Sequence, residues 1–279
     1  MKDKALSPIV EILHEAAVNA CGIIRAASLK DNDDVSQKES HQDIVTRADK
    51  ESQFKIHQVL LDKSAQILGL KSEEIGFIEE ESVVDVQNKH TFIVDPLDGT
   101  TNFSKRLPGY CVSIAYAIDK NIVAGVVMNP INGEYYFAEK NHGAFFVDSQ
   151  GNIERLSVVQ PQKLKDSLVA GHYNGLEVFA DQMSWYQKLY PHIRGLRNIG
   201  SMTYDLCYLS SGKFDAVFCG GCYLWDVAAS GLIAEEVGLG IFEMSGEKLE
   251  YNWQNSKEKY RLMACHPDLV PDFLKIFSD

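Results

Sequence analysis

The 279-residue sequence has no basic run and carries few cationic residues, 27 Lys and Arg against 39 Asp and Glu. A formal charge of -12 argues against non-specific adhesion to nucleic acid polymers or anionic membranes, because both attract clustered Lys and Arg. Long apolar runs are also missing. The N-terminal stretch MKDKALSPIVEILHEAAVNACGII is interrupted by Glu11, His14 and Glu15, which fits neither a secretory leader nor a membrane span. A cytoplasmic protein is therefore the expectation. The six cysteines (Cys21, Cys111, Cys207, Cys219, Cys222, Cys265) lie mostly in apolar surroundings, unlike a disulfide framework. Cys219-Gly-Gly-Cys222 has the spacing of a zinc or redox pair, yet no second CxxC and no nearby His pair completes a tetrahedral site. Both thiols are expected to be structural. No internal repeat or low-complexity tract is present.

What is present is a hydrophobic content of 45%, enough to bury the core of one large domain or of two tightly joined halves. Ser7-Pro8 predicts a capped helix over Pro8–Ala27 with proline at its first position. The polar segment LKDNDDVSQKESHQD reads as a mobile loop. Ile44–Leu68 reads as a second helix, with Phe54, Ile56, Val59, Leu60 and Ile67 on its buried side. Thr91–Val94 is a short apolar strand. Cys111–Ile118, Ile122–Met128, Glu134–Ala138 and Ala144–Val147 are β-rich runs separated by turns, which predicts an antiparallel sheet. Beyond Ser157, strands at Ser167–Ala170, Phe214–Phe218 and Tyr260–Cys265 alternate with helices at Val178–Tyr190, Ser201–Ser211 and Asp226–Val237. The fold class is α/β or α+β, with helices and sheets in layers.

Acidic residues recur at the ends of apolar runs. In IVDPLDGTTNF (Ile93 to Phe103), Pro96 lacks an N–H and imposes extended geometry on Asp95, so the strand is expected to stop pairing there and present the carboxylate at its end. Asp98-Gly99-Thr100-Thr101 then turns the chain, and a helix starting there would aim its first amides at the same place. Carboxylates collect Mg²⁺ and amides collect phosphate oxygens. A turn followed by a helix cap would also account for this stretch. FIEEES (Phe77 to Ser82) and LWDVAA (Leu224 to Ala229) repeat the pattern. Singly, Glu79 to Glu81 read as a solvated run and Asp226 as a helix cap.

Together, DIVTRAD (Asp43 to Asp49), FIEEES, IVDPLDGTTNF and LWDVAA resemble, in order and spacing, the inositol monophosphatase family of Mg²⁺-dependent, lithium-sensitive phosphatases. The resemblance spans most of the chain. It implies a layered α/β/α/β/α sandwich of the sugar phosphatase type. Residues 1–279 would form a single domain, with 1–155 as the metal and phosphate half and 156–279 as the substrate half. It further implies that Glu80, Asp95, the Leu97 carbonyl, Asp98 and Asp226 hold two or three Mg²⁺ ions. Gly99 and Thr100 would offer amides to phosphate, while Asp49 and Thr100, with Glu80, would activate the attacking water. Lys38 matches a loop lysine near that site. Asp98, Gly99, Thr100, Gly200, Ser201, Asp205, Cys219 and Asp226 would face the substrate, a small phosphate ester; for Asp205 a structural role inside its helix is an equal reading. A homodimer is implied as well.

Two residues depart from the family pattern. Glu79 stands where glycine is common, so an added negative charge is expected to alter metal affinity. Cys219 stands where inositol-preferring members carry a glutamate, and a thiol is a poor hydrogen-bond acceptor. A 3'(2'),5'-bisphosphate nucleotidase or a fructose-1,6-bisphosphatase thus remains open beside an inositol phosphatase, although Thr101-Asn102-Phe103 looks more like the inositol branch. Phosphoaspartyl chemistry needs two acids two residues apart on one strand face, and here the separation is three with a proline between. A catalytically idle metal-binding protein is the remaining alternative, and the complete set of liganding residues argues against it.

Overall fold

A computed structural model of the chain describes residues 6–29, 36–37, 44–82, 87–157, 160–173 and 176–278. Lys38 and most of the polar segment before Ile44 lie outside them. Helix α1 (Pro8–Ser28) begins where the cap signal puts it, with Ser7 Oγ accepting from the Val10 N–H at 3.4 Å. Strands β1 (Ser36–Gln37) and β2 (Ile44–Val45) form a short antiparallel ladder, so α2 (Arg47–Lys63) starts later than the periodicity predicts. Past Lys63 the helix widens into a π turn, Ser64–Leu68, and ends at Gly69 with φ 68°. Ile56, Val59 and Leu60 are buried as expected, whereas Phe54 is 66% and Ile67 40% exposed. Phe54 lies two residues, about 200°, from Ile56 and so points away from the core.

Seven strands make the first sheet, in chain order from β3 (Ile75–Glu79) through β4 (His90–Asp98), β5 (Cys111–Ile118), β6 (Asn121–Met128), β7 (Tyr135–Glu139) and β8 (Gly143–Val147) to β9 (Ile153–Arg155). β3 pairs parallel with β4, and each later pair is antiparallel, as the hairpin turns predict. The second sheet holds β10 (Leu168–His172), β11 (Gly195–Arg197), β12 (Ala216–Cys222), β13 (Gly240–Glu243) and β14 (Tyr260–Cys265), in the order β11-β10-β12-β14-β13.

Helices fill the remaining layers. α1 and α2 cover the outer face of the first sheet, α5 (Met202–Ser210) and α6 (Leu224–Glu235) lie between the sheets, and α4 (Leu176–Leu189) and α7 (Val270–Ser278) cover the outer face of the second. The result is the α/β/α/β/α order that the resemblance implies. Strand alternation sends Phe92 and Val94 into the core beneath α1 and α2, and Ile93 into the core around α5 and α6. A third apolar cluster joins the second sheet to α4 and α7. On β6, Gly125 allows α6 to come close, since a Cβ there would stand 2.8 Å from Ala229 Cα. That contact holds the helix carrying Asp226 against the sheet carrying Asp95. No helix among the described residues is long and apolar enough to cross a membrane.

Candidate active site

The acidic cluster depends on an irregularity in β4. The strand does not stop at Pro96; pairing with β5 resumes at Asp98. Asp95 pairs with Ser113 and Asp98 with Cys111, so three steps along β4 match two along β5. This is a one-residue bulge, placed where proline cannot donate to the ladder. Its consequence is geometric. Residues three apart on a regular strand face opposite sides, but Ser113 and Cys111, two apart, face the same side. The bulge therefore brings both carboxylates onto the α5–α6 face of the sheet.

Asp98 is gripped by α5. Its Oδ2 accepts from Ser201 Oγ at 2.7 Å and from the Thr203 N–H at 2.7 Å. Ser201 is also the N-cap of α5, its Oγ accepting from the Tyr204 N–H at 3.1 Å. Before it, Gly200 adopts φ 90°, and a Cβ there would lie 2.9 Å from the Asn102 side chain. Asn102 Nδ2 donates to the Gly109 and Ile199 carbonyls at 2.8 and 2.7 Å, tying the turn after β4 to the start of α5. Asn102 and Thr203 escaped the sequence reading as site residues. Asn102 lies within the opening motif, but its two carbonyl partners are set by tertiary structure.

α6 supplies Asp226, three residues after its N-cap Tyr223. Asp226 Oδ2 accepts from the Tyr223 N–H at 2.7 Å, and its carbonyl accepts from Thr203 Oγ1 at 2.8 Å. Asp95 is 2% exposed and Asp226 8%. Burial first, then the charges of Glu80, Asp98 and Asp226, raises the Asp95 carboxyl well above the ordinary range. Burial and the charge of Asp98 do the same for Asp226. For Asp98, burial outweighs the opposing donors from Ser201 and Thr203. Asp95 Oδ1 accepts from the Leu97 N–H at 2.9 Å. The four acids Glu80, Asp95, Asp98 and Asp226 thus converge, and neither lysine nor arginine figures among the main influences on the three aspartates.

On the outer side, Asp49 is fully buried at the start of α2. Its Oδ2 accepts from the Thr46 N–H at 2.9 Å and from Thr46 Oγ1. Thr100 Oγ1 stands 3.0 Å from Asp49 Oδ1 and 3.1 Å from the Leu97 carbonyl, so one hydroxyl proton has two acceptors. Burial pushes the Asp49 carboxyl up to about 7; the Thr46 hydrogen bond opposes this and the charge of Glu80 adds to it. Thr100 opens the five-residue helix α3 (Thr100–Ser104), whose N-cap Gly99 has φ 92°. A Cβ on Gly99 would lie 2.7 Å from the Gly109 carbonyl oxygen, so only glycine fits.

Asp205 and Cys219, which the resemblance implies would face the substrate, are both fully buried. Asp205 on α5 is fully buried and neither carboxylate oxygen has a hydrogen-bond partner; burial and the charge of Asp98 raise its pKa well above the ordinary range. Cys219 is fully buried on β12, with its sulfur accepting from the Gly221 N–H at 3.4 Å. All six cysteines are buried and free. Glu79 faces away from the acidic cluster and meets His57 on α2, so the charge expected to perturb the metal site lies on the other side of the sheet.

Among the described residues, no three His, Cys, Asp or Glu side chains already surround a point at ligand distance. The donor set nevertheless suits a hard cation. Several carboxylates converge in a buried place, where the charges of Glu80, Asp98 and Asp226 raise the proton affinity of Asp95 and those of Asp98 and Glu80 raise that of Asp226.

The layered order of sheets and helices is that of the sugar-phosphatase fold class. The profile of the inositol monophosphatase family matches residues 5–269, and the chain belongs to that family. Human inositol monophosphatase 1 is 32% identical over 234 residues, covering 81% of this chain and 80% of its own. The crystal structure of extragenic suppressor protein suhB from Bartonella henselae superposes with a TM-score of 0.83 at 28% identity, covering 98% of this chain and 99% of its own. A second solved structure, an IMPase/NADP phosphatase complexed with Mg²⁺ and phosphate, shares the fold at TM-score 0.78 and 22% identity, covering 96% and 94%. Membership supports phosphatase activity on a phosphate ester.

Proposed function

We propose that the protein is a Mg²⁺-dependent phosphomonoesterase that hydrolyses inositol monophosphate to inositol and phosphate. The observation that carries this reading is the β4 bulge, which sets Asp95 and Asp98 on one face beside Glu80 and Asp226. Glu80, Asp95, the Leu97 carbonyl, Asp98 and Asp226 are the proposed Mg²⁺ ligands. What Mg²⁺ supplies when bound is charge neutralisation on the phosphoryl oxygens and a lowered pKa for water.

The chain's own groups do the rest. Thr100, held between Asp49 and the Leu97 carbonyl, accepts a hydrogen bond from the attacking water and passes its own proton toward Asp49. A carboxyl whose pKa is pushed up to about 7 is matched to taking a proton at neutral pH. Gly99 and Thr100 present backbone N–H groups to the phosphate, and α5 keeps Asp98 fixed through Ser201 and Thr203. Gly200, Ser201, Asp205 and Cys219 belong to the proposed substrate side. No covalent enzyme intermediate is needed for in-line attack by water.

The same reading takes residues 1–279 as one catalytic unit, active as a cytoplasmic homodimer, which light scattering on the purified protein checks. The deciding experiment is Mg²⁺-dependent phosphate release from inositol 1-phosphate, fructose 1,6-bisphosphate and adenosine 3',5'-bisphosphate. Preferential release from the first is expected. Preference for either bisphosphate would transfer the assignment to that class, the alternative that the Cys219 position keeps open. Release from none would refute enzymatic function and favour an idle metal-binding protein.

A further inference from the structure

The turn that carries Glu80 is held by side chains, and Glu79 is one of them. Glu79 to Ser82 form a turn closed by the Ser82 N–H donating to the Glu79 carbonyl at 3.3 Å. The side chains close it again, with Ser82 Oγ donating to Glu79 Oε2 at 2.8 Å. Glu80 and Glu81 occupy the two central positions. The Glu80 N–H extends the parallel ladder to the Val94 carbonyl at 3.2 Å. Gln53 Oε1 on α2 takes the Glu81 N–H at 2.9 Å, and Gln53 Nε2 donates to Ser82 Oγ at 3.2 Å. His57 Nδ1 stands 3.2 and 3.3 Å from the two Glu79 oxygens, its ring stacked on Phe77 at 3.8 Å between centroids.

These contacts share one support. Asp49, Gln53 and His57 follow at intervals of four along α2 and so occupy one helix face. The stripe that sets the carboxylate opposite Thr100 also fixes the backbone on either side of Glu80. A glycine at position 79 could close the backbone turn but not the side-chain bond. Glu79 is 4% exposed and lies on the Phe77 side of β3, away from Asp95.

We propose that Glu79, Ser82, Gln53 and His57 form a side-chain brace that fixes the Glu80 turn for cation binding, so that Glu79 is a positioning residue and not a further ligand. The inference rests on the reading that Glu80 holds a divalent cation.

The test compares Glu79→Ala, Glu79→Gln and Ser82→Ala in the full chain. Mn²⁺ binding is followed by isothermal titration, folding by thermal unfolding, and phosphate release as a function of Mg²⁺ and of substrate. Glutamine keeps an acceptor for Ser82 Oγ but lacks the charge. The two alanine variants are expected to weaken Mn²⁺ binding about 10-fold and to raise half-saturating Mg²⁺ by a similar factor. KM for the ester at saturating Mg²⁺ should stay within about twofold. Glu79→Gln should bind Mn²⁺ within about threefold of wild type. Wild-type Mn²⁺ binding by Glu79→Ala overturns the brace. So does an equal loss in the Gln and Ala variants, which would assign the effect to charge. If Glu79→Ala does not fold, Ser82→Ala, which deletes a single oxygen, decides by the same criterion. The underlying function fails differently: wild-type protein would bind no Mn²⁺ and release no phosphate, and the brace would fall with it.

Discussion

Replacing Asp49 with asparagine separates the catalytic use of this carboxyl from its effect on folding. Asparagine can keep the local geometry. Its Oδ1 can accept from the Thr46 N–H and hydroxyl, and its Nδ2 can donate to Thr100 Oγ1 while that hydroxyl donates to the Leu97 carbonyl. What disappears is a titration. In the unfolded chain this acid ionises near 3.8, whereas in the folded protein burial holds the proton until about 7. The folded pKa is the higher one, so the unfolded state gains from ionisation first. Wild-type stability is therefore lost progressively as pH rises from about 4 to about 7. The full effect of that interval is ~4 kcal/mol, and the part falling between about pH 5.5 and pH 8 is ~2 kcal/mol. The stability of Asp49→Asn relative to wild type should rise by that amount over this range, a relative Tm change of roughly 4–8 °C. Thermal unfolding in EDTA measures it. Asp95, Asp98 and Asp226 titrate in both proteins and largely cancel in the difference. Turnover of the variant should fall by about a hundredfold or more. A Tm difference that does not change with pH would refute the reasoning about burial, whatever happens to activity.

Asp95→Asn or Asp98→Asn should lower kcat by about two orders of magnitude or more while circular dichroism stays that of wild type; normal kinetics in either would remove that residue from the mechanism. Gly99→Ala should destabilise by ~2 kcal/mol or more in chemical denaturation, because a Cβ meets the Gly109 carbonyl at 2.7 Å and the residue has φ 92°. Millimolar Li⁺ should inhibit phosphate release, and insensitivity would separate this chain from the lithium-sensitive behaviour its resemblance implies. EDTA should abolish activity and Mg²⁺ restore it; activity persisting in EDTA would refute the cation requirement.

The layered fold is legible where periodicity is long. Pro8–Ala27 and Cys111–Ile118 stand almost as read, because an apolar stripe or a hairpin turn repeats often enough to fix the element. Strands β9, β11 and β13 are too short for any period, and the sequence reading passes over them. The acids of the site are legible as residue types at the ends of apolar runs, but their common face is not. Pro96 suggests that β4 ends, whereas proline inside an apolar run is equally a mark of a bulge, and the bulge is what the strand contains. Gln53 and His57 were visible only as polar residues spaced four apart after Asp49. What they grip is set by how α2 lies on β3, which no local pattern records.

Asp98 is held by groups outside its own element and Asp226 by a helix start, and this explains why the site requires the whole layered arrangement. β4 carries two acids, but α5 fixes one of them through Ser201 and Thr203. Asp226 belongs to a helix start in the later half of the chain, yet its charge raises the proton affinity of Asp95 in the earlier half. Such an assembly works against folding as long as the acids face only one another, because burial and mutual repulsion both disfavour their ionised forms. Divalent cations reverse the sign of that interaction. A ligand that binds only where the acids converge stabilises the folded state by mass action. In the proposed function, the same crowding that strains the carboxylates would favour cation uptake, and through the cations the capture of a phosphate ester by an otherwise strongly acidic protein.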